Sequence, residues 1–105
     1  MDDKLITSFS KLINSDVVKT IYPMIDHIDI VSLKYIPFVF EYDLSINIFL
    51  NDPNINRNNM YTMNFDPHYL VLKHLKNLSK YFDITLRYTS YKLYSPDGEL
   101  LLDWS

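Results

Sequence analysis

The sequence predicts an α+β protein: a two-layer sandwich in which a mostly antiparallel sheet of four or five strands carries two helices on one face. Three observations predict it. Segments 3–22 and 67–82 repeat apolar residues at helical spacing. Segment 38–50 alternates apolar and polar residues with a period of two, the mark of a long strand with one wet face. The elements follow in the order α-β-β-β-α-β-β, and half-wet strands suit an antiparallel sheet with helices covering the other face. The chain has 105 residues, 48% hydrophobic and 22% charged. That is enough for one domain, 1–105, with one core and no staple.

The first helix, 3–22, places Leu5, Ile6, Phe9, Leu12 and Ile13 on one stripe, which Val17, Val18 and Ile21 extend. Asp2 and Asp3 suit a helix N-terminus. Ser15-Asp16 reads as a second N-cap, so a break is expected near Asn14, and Pro23 ends the element. Residues 26–35 are β-branched and form a strand whose core face the mixed alternation does not assign. In the long strand, Phe38, Phe40, Tyr42, Leu44, Ile46, Ile48 and Leu50 form the apolar face. Glu41, Asp43, Ser45 and Asn47 form the wet one. Residues 51–59 are a loop rich in turn formers, and 60–65 return as a strand. Asp66-Pro67 reads as an N-cap with proline at the first helical position. The second helix buries Val71, Leu75, Leu78 and Phe82.

Residues 83–94 are again strand, with a kink or bulge at Thr89-Ser90, where the apolar parity shifts. Gly98 is the only glycine. It sits in Ser95-Pro96-Asp97-Gly98, where proline presets φ and glycine takes a positive φ at little cost. A hairpin closes there, and the last strand, 99–104, points Leu100, Leu102 and Trp104 to one face.

A single glycine spent on a hairpin excludes phosphate loops, dinucleotide fingerprints and nucleophile elbows, all of which need glycine where backbone meets ligand or turns sharply. The absence of cysteine excludes disulfides, thiolate metal sites and thiol nucleophiles. His27 lies between Asp26 and Asp29, but strand alternation gives it only Asp29 on its own face, too few ligands for a metal. His68 and His74 diverge by about 120° on a helix and cannot chelate together. His68 is a first-turn residue and His74 flanks the wet face. Asp52, Asn54 and Asn56 imitate the start of a calcium loop. Arg57 and Met63 then stand where glycine and a bidentate glutamate are required, which leaves an asparagine-rich turn. No metal, cofactor or catalytic residue is expected.

No apolar run in residues 1–20 suits a signal peptide, and the most apolar stretch is broken by Glu41 and Asp43. An intracellular, cytoplasmic protein is expected, with no membrane partner. Alanine and glutamine are absent, while Ile, Asn, Lys and Tyr abound, as in products of AT-rich genomes, viral ones among them.

Charge is uneven along the chain, whose net charge is −3. Residues 24–67 are acidic and 68–95 basic. Glu41, Asp43, Asp52 and Asp66, with Asp26 and Asp29, offer a surface to a basic partner. Tyr88, Tyr91 and Tyr94 offer the large contact area at low entropy cost that interfaces favour. The expectation is a non-enzymatic interaction module, binding another protein or itself through Glu41, Asp43, Tyr88, Tyr91 and Tyr94. The alternative is a nucleic-acid binder using Lys73, Lys76, Lys80, Arg87 and Lys92 for phosphates and the nearby tyrosines for stacking.

Overall fold

The computed structural model describes residues 3–54 and 67–104. The elements are α1 (Asp3–Ile13), α2 (Asp16–Ile21), β1 (Ile25–Ile36), β2 (Glu41–Leu50), α3 (Pro67–Ser79), a 3-10 turn (Lys80–Phe82), β3 (Leu86–Tyr94) and β4 (Leu100–Trp104). The expected strand at 60–65 and the Asp66 cap lie outside the described residues.

The predicted break is where Asn14 and Ser15 stand. Ser15 is extended at φ −69, ψ 159, and its hydroxyl accepts from the Val18 amide, which starts α2 on a new axis. The reset changes the fate of the extended stripe. Phe9 and Ile13 are buried, but only Val18 of α2 is, and Val17 and Ile21 are exposed. A continuous helix would have carried Val17 onto the core, one turn beyond Ile13.

The strands lie in the order β1-β2-β3-β4. The outer pairs are antiparallel hairpins, and β2 and β3 run parallel at the centre. The parallel pair follows from α3: a helix between two strands returns the chain to its starting end, so the next strand runs the same way. α1 and α3 cover one face. Phe9, Ile13, Leu75 and Leu78 pack there against Ile28, Leu33, Leu44, Ile46, Ile48, Leu50, Leu86 and Leu93. Phe82, at the end of the 3-10 turn, meets Phe9 edge-on, with ring centres 5.5 Å apart.

Two expectations are corrected here. The long strand does not begin at Phe38. Residues 37–40 form the β1–β2 turn, in which the Val39 amide donates to the Ile36 carbonyl at 3.3 Å, and Phe38 and Phe40 point into solvent. Two strands cannot reverse through Ile36-Pro37 alone, so the turn consumes the start of the alternating segment. Among the described side chains of β4, Leu101 is buried and Leu100 and Leu102 are half-buried, while the side chain of Trp104 lies outside the described ones. A register shift against Leu93 and Tyr94 leaves Leu101 unpaired and breaks the simple alternation.

Gly98 closes the β3–β4 hairpin at φ 88, with its amide on the Ser95 carbonyl at 3.0 Å. The Ser95 hydroxyl donates to Asp97, which lowers the Asp97 carboxyl below its ordinary range, helped by turn amides. A Cβ on Gly98 would meet nothing within 4 Å, so conformation and not crowding demands glycine. Among the described residues, no helix is long and apolar enough to cross a membrane.

Candidate functional site

The sheet face opposite the helices takes its side chains from alternate strand positions, and four bulges set which ones. Register shifts leave Asp26 and Val31 unpaired in β1, Thr89 in β3 and Leu101 in β4. The Val31 and Thr89 bulges both flank Ser45 of β2, so the strands return to step on either side of it.

The open face is built in cross-strand rows. One is aromatic: His27, Phe49 and Tyr94 stack, with ring centres 4.4 and 4.9 Å apart and planes within 9° and 11° of parallel. The next runs Asp29, Asn47, Lys92 and Asp103. Then come Ser32, Ser45 and Ser90, with the Ser45 and Ser90 hydroxyls 2.6 Å apart. The fourth is Lys34, Asp43 and Arg87, where Arg87 Nε lies 3.4 Å from Asp43 Oδ1. That oxygen is shielded from water and accepts no hydrogen bond, so the Arg87 charge is its compensation.

These rows revise the electrostatic expectation. Basic β3 lies between acidic β2 and β4, so Lys92 stands between Asn47 and Asp103 and Arg87 beside Asp43, and bases are interspersed among the acids of the wet face. Asp43 faces Arg87, and Glu41 is half-buried beside Ile36. Among the described residues, the acids of this face stand beside bases and form no continuous acidic surface.

The tyrosines separate. Tyr94 stands on the open face against Phe49. Tyr91 is 2% exposed, part of the core, and so is withdrawn from any surface contact. Tyr88 pairs in register with Leu44. The five bases separate too. Lys73, Lys76 and Lys80 are on the exposed side of α3 and its 3-10 extension, in the helical layer. Arg87 and Lys92 are on the opposite face of the sheet, engaged with Asp43 and flanked by Asp103. The fold does not bring the expected nucleic-acid footprint together.

His27 differs from its expected setting, because the bulge at Asp26 turns that side chain onto the ring. Asp26 Oδ2 lies 2.6 Å from Nδ1, and Asp29 Oδ1 3.8 Å from Nε2. The two carboxylates hold opposite edges of one imidazole and do not converge on a common point. Among the described residues, no group of three or more His, Cys, Asp or Glu is placed to hold a metal ion. His74 is not a wet-face flank. It packs edge-on against Tyr22 with ring centres 5.3 Å apart, its Nε2 has no hydrogen-bond partner, and burial lowers its pKa below 6.5. The Asp52 carboxylate accepts from the Asn54 amide at 2.9 Å, as an asparagine-rich turn requires.

The site that sequence reasoning missed is the end of the β1–β2 hairpin. Phe38 is 93% and Phe40 75% exposed, with Val39 between them also exposed. Tyr35 and Tyr42 stand below, with ring centres 5.1 Å apart. Phe40 has φ 56, a left-handed conformation unfavourable for a bulky residue. The signal was present in Ile36-Pro37, too short a joint for two long strands. Comparison with protein-family models, curated proteins and solved structures finds no match to this chain.

Proposed function

We propose that this protein is a non-enzymatic interaction module that binds another protein through the end of its β1–β2 hairpin. The observation that carries the reading is the cluster Phe38-Val39-Phe40 standing in solvent in the turn that joins β1 and β2. Exposed aromatic clusters mark contact sites, because burying each ring in a partner pocket yields a large hydrophobic gain from few residues. The left-handed Phe40 adds support: backbone strain of about 1–2 kcal/mol persists where the side chain it presents has a use. Tyr94 and Phe49, farther along the open face, offer an apolar strip beside the rim of charged rows.

The test is affinity capture with the full chain as bait in extracts of the cells that make it, beside a Phe38→Asp/Phe40→Asp variant. A stoichiometric protein retained by the wild type and lost by the variant, with the variant's melting curve unchanged, is the expected outcome. Equal retention by both, or no protein retained by either, refutes the assignment.

A further inference from the structure

Among the described residues β1 is an edge strand, and its outer side is only partly covered. The Asn14 side chain occupies Ile28: its Nδ2 donates to the Ile28 carbonyl at 2.9 Å, and its Oδ1 accepts from the Ile28 amide at 2.8 Å. Outward-pointing backbone groups recur at alternate residues of an antiparallel strand. Ile30 therefore presents its amide and carbonyl outward, and past the Val31 bulge Leu33 and Tyr35 do so. Among the described residues, nothing bonds to this stretch of edge from outside the sheet. Val31 and Tyr35 are 54% and 49% exposed along it. An uncovered edge with apolar side chains is a template for another strand.

The strand is complementary to itself about the point between Val31 and Ser32. Antiparallel pairing of two copies there sets Ile30 opposite Leu33 and Asp29 opposite Lys34, and it ends where Asn14 occupies Ile28. Ile28, Ile30, Leu33 and Tyr35 share register with Ile48, Ile46, Leu44 and Tyr42 on the helix-covered side. Asp29 and Lys34 share register with Asn47 and Asp43 on the open side. Every pair thus joins residues of the same face, as strand pairing requires. The bulge makes this possible, because its extra residue falls at the symmetry axis. Any other register separates Asp29 from Lys34. Lys34 has no ion pair among the described residues, and Asp29 Oδ1 lies 3.8 Å from His27 Nε2.

From this self-complementarity we propose that the protein forms a two-fold dimer by antiparallel β1–β1 pairing centred between Val31 and Ser32. Backbone bonds between Ile30 and Leu33 hold it, and two symmetric Asp29–Lys34 pairs fix its register. Asn14 bounds the pairing by keeping Ile28 occupied. The dimer uses the side of the strand and not the hairpin end, so it is independent of the partner-binding reading.

Sedimentation velocity of the full chain from micromolar to submillimolar concentration tests it. The wild type approaches twice the 12.5 kDa chain mass. Asp29→Lys and Lys34→Asp each oppose like charges at both symmetric positions and weaken the dimer roughly tenfold. The combined Asp29→Lys/Lys34→Asp variant restores it. A wild type that stays monomeric, single variants that dimerise like the wild type, or a double variant that stays monomeric overturns the proposal. The chain has no cysteine, which gives a second readout. Val31→Cys, beside the axis, is joined to its mate by a short bis-maleimide, whereas Tyr81→Cys, exposed on the 3-10 turn, is not. Cross-linking at Tyr81→Cys alone, or equally at both, refutes the geometry.

Discussion

Replacing Asn14 with alanine removes one side chain and leaves two backbone groups of a neighbouring element without partners. The Ile28 amide and carbonyl, bonded to Asn14 at 2.8 and 2.9 Å, are part-buried at the edge of β1. A buried group deprived of its partner costs about 1–3 kcal/mol, and partial access of water places each of these near the lower end, so the pair costs about 2 kcal/mol. The lost bond from Asn14 Nδ2 to the Ser10 carbonyl, 2.9 Å, sits at the helix end and adds little, because water replaces it. At 4–8 °C per kcal/mol for a domain near this size, the melting temperature falls by about 8–16 °C. Urea unfolding followed by far-ultraviolet circular dichroism measures the difference directly, as a lower midpoint with an unchanged slope. Thr20→Ala, which removes an exposed bond to the Asp16 carbonyl, is the control and costs under about 0.5 kcal/mol. Asn14→Asp sharpens the test. Its carboxylate still accepts from the Ile28 amide but sets negative charge against the Ile28 carbonyl, so at pH 7 it is no more stable than alanine. An alanine variant within about 0.5 kcal/mol of wild type, or an aspartate variant equal to wild type at pH 7, refutes the account of Asn14 as the clasp between α1 and the sheet.

Two further outcomes follow from single residues. Burial lowers the folded-state pKa of His74 below its ordinary 6.5, so the unfolded chain binds the proton more tightly. This contribution to stability is fully present above about pH 6.5 and is lost as pH falls below it. His74→Phe should flatten the fall in urea midpoint between pH 8 and pH 5, and an unchanged slope would remove His74 as its cause. Gly98 and Phe40 both have positive φ, 88 and 56, yet carry opposite residues. Gly98→Ala should cost about 1–2 kcal/mol through the backbone alone, whereas Phe40→Gly should gain up to about 1 kcal/mol. Thermal melts decide this, and destabilisation by Phe40→Gly would mean that the ring supports the fold and is not held out for a partner.

Local chemistry carried much of the fold into the sequence. Phe9 and Ile13 appear on the α1 stripe, and the Ser15 cap announces the helix break, because capping depends on neighbours along the chain. Leu44, Ile46, Ile48 and Leu50 betray the core face of β2 by parity alone. Gly98 marks its hairpin, since only a positive φ asks for glycine there, and the parity shift at Thr89-Ser90 marks the bulge in β3. Tertiary structure decided what depends on residues far apart in sequence. Acidic β2 and basic β3 become neighbours only through the α3 crossover, which sets bases among the acids of a face that the linear charge pattern made acidic. Tyr91 and Tyr94 look equivalent in sequence, yet one is core and the other surface, because strand parity sends them to opposite faces. Asn14 reads as a helix-ending residue and nothing in its surroundings names Ile28, fourteen positions on, as its partner. Hydrogen bonds and apolar contacts act over a few ångströms, so the sequence reveals those made between near neighbours, and chain path alone chooses the rest.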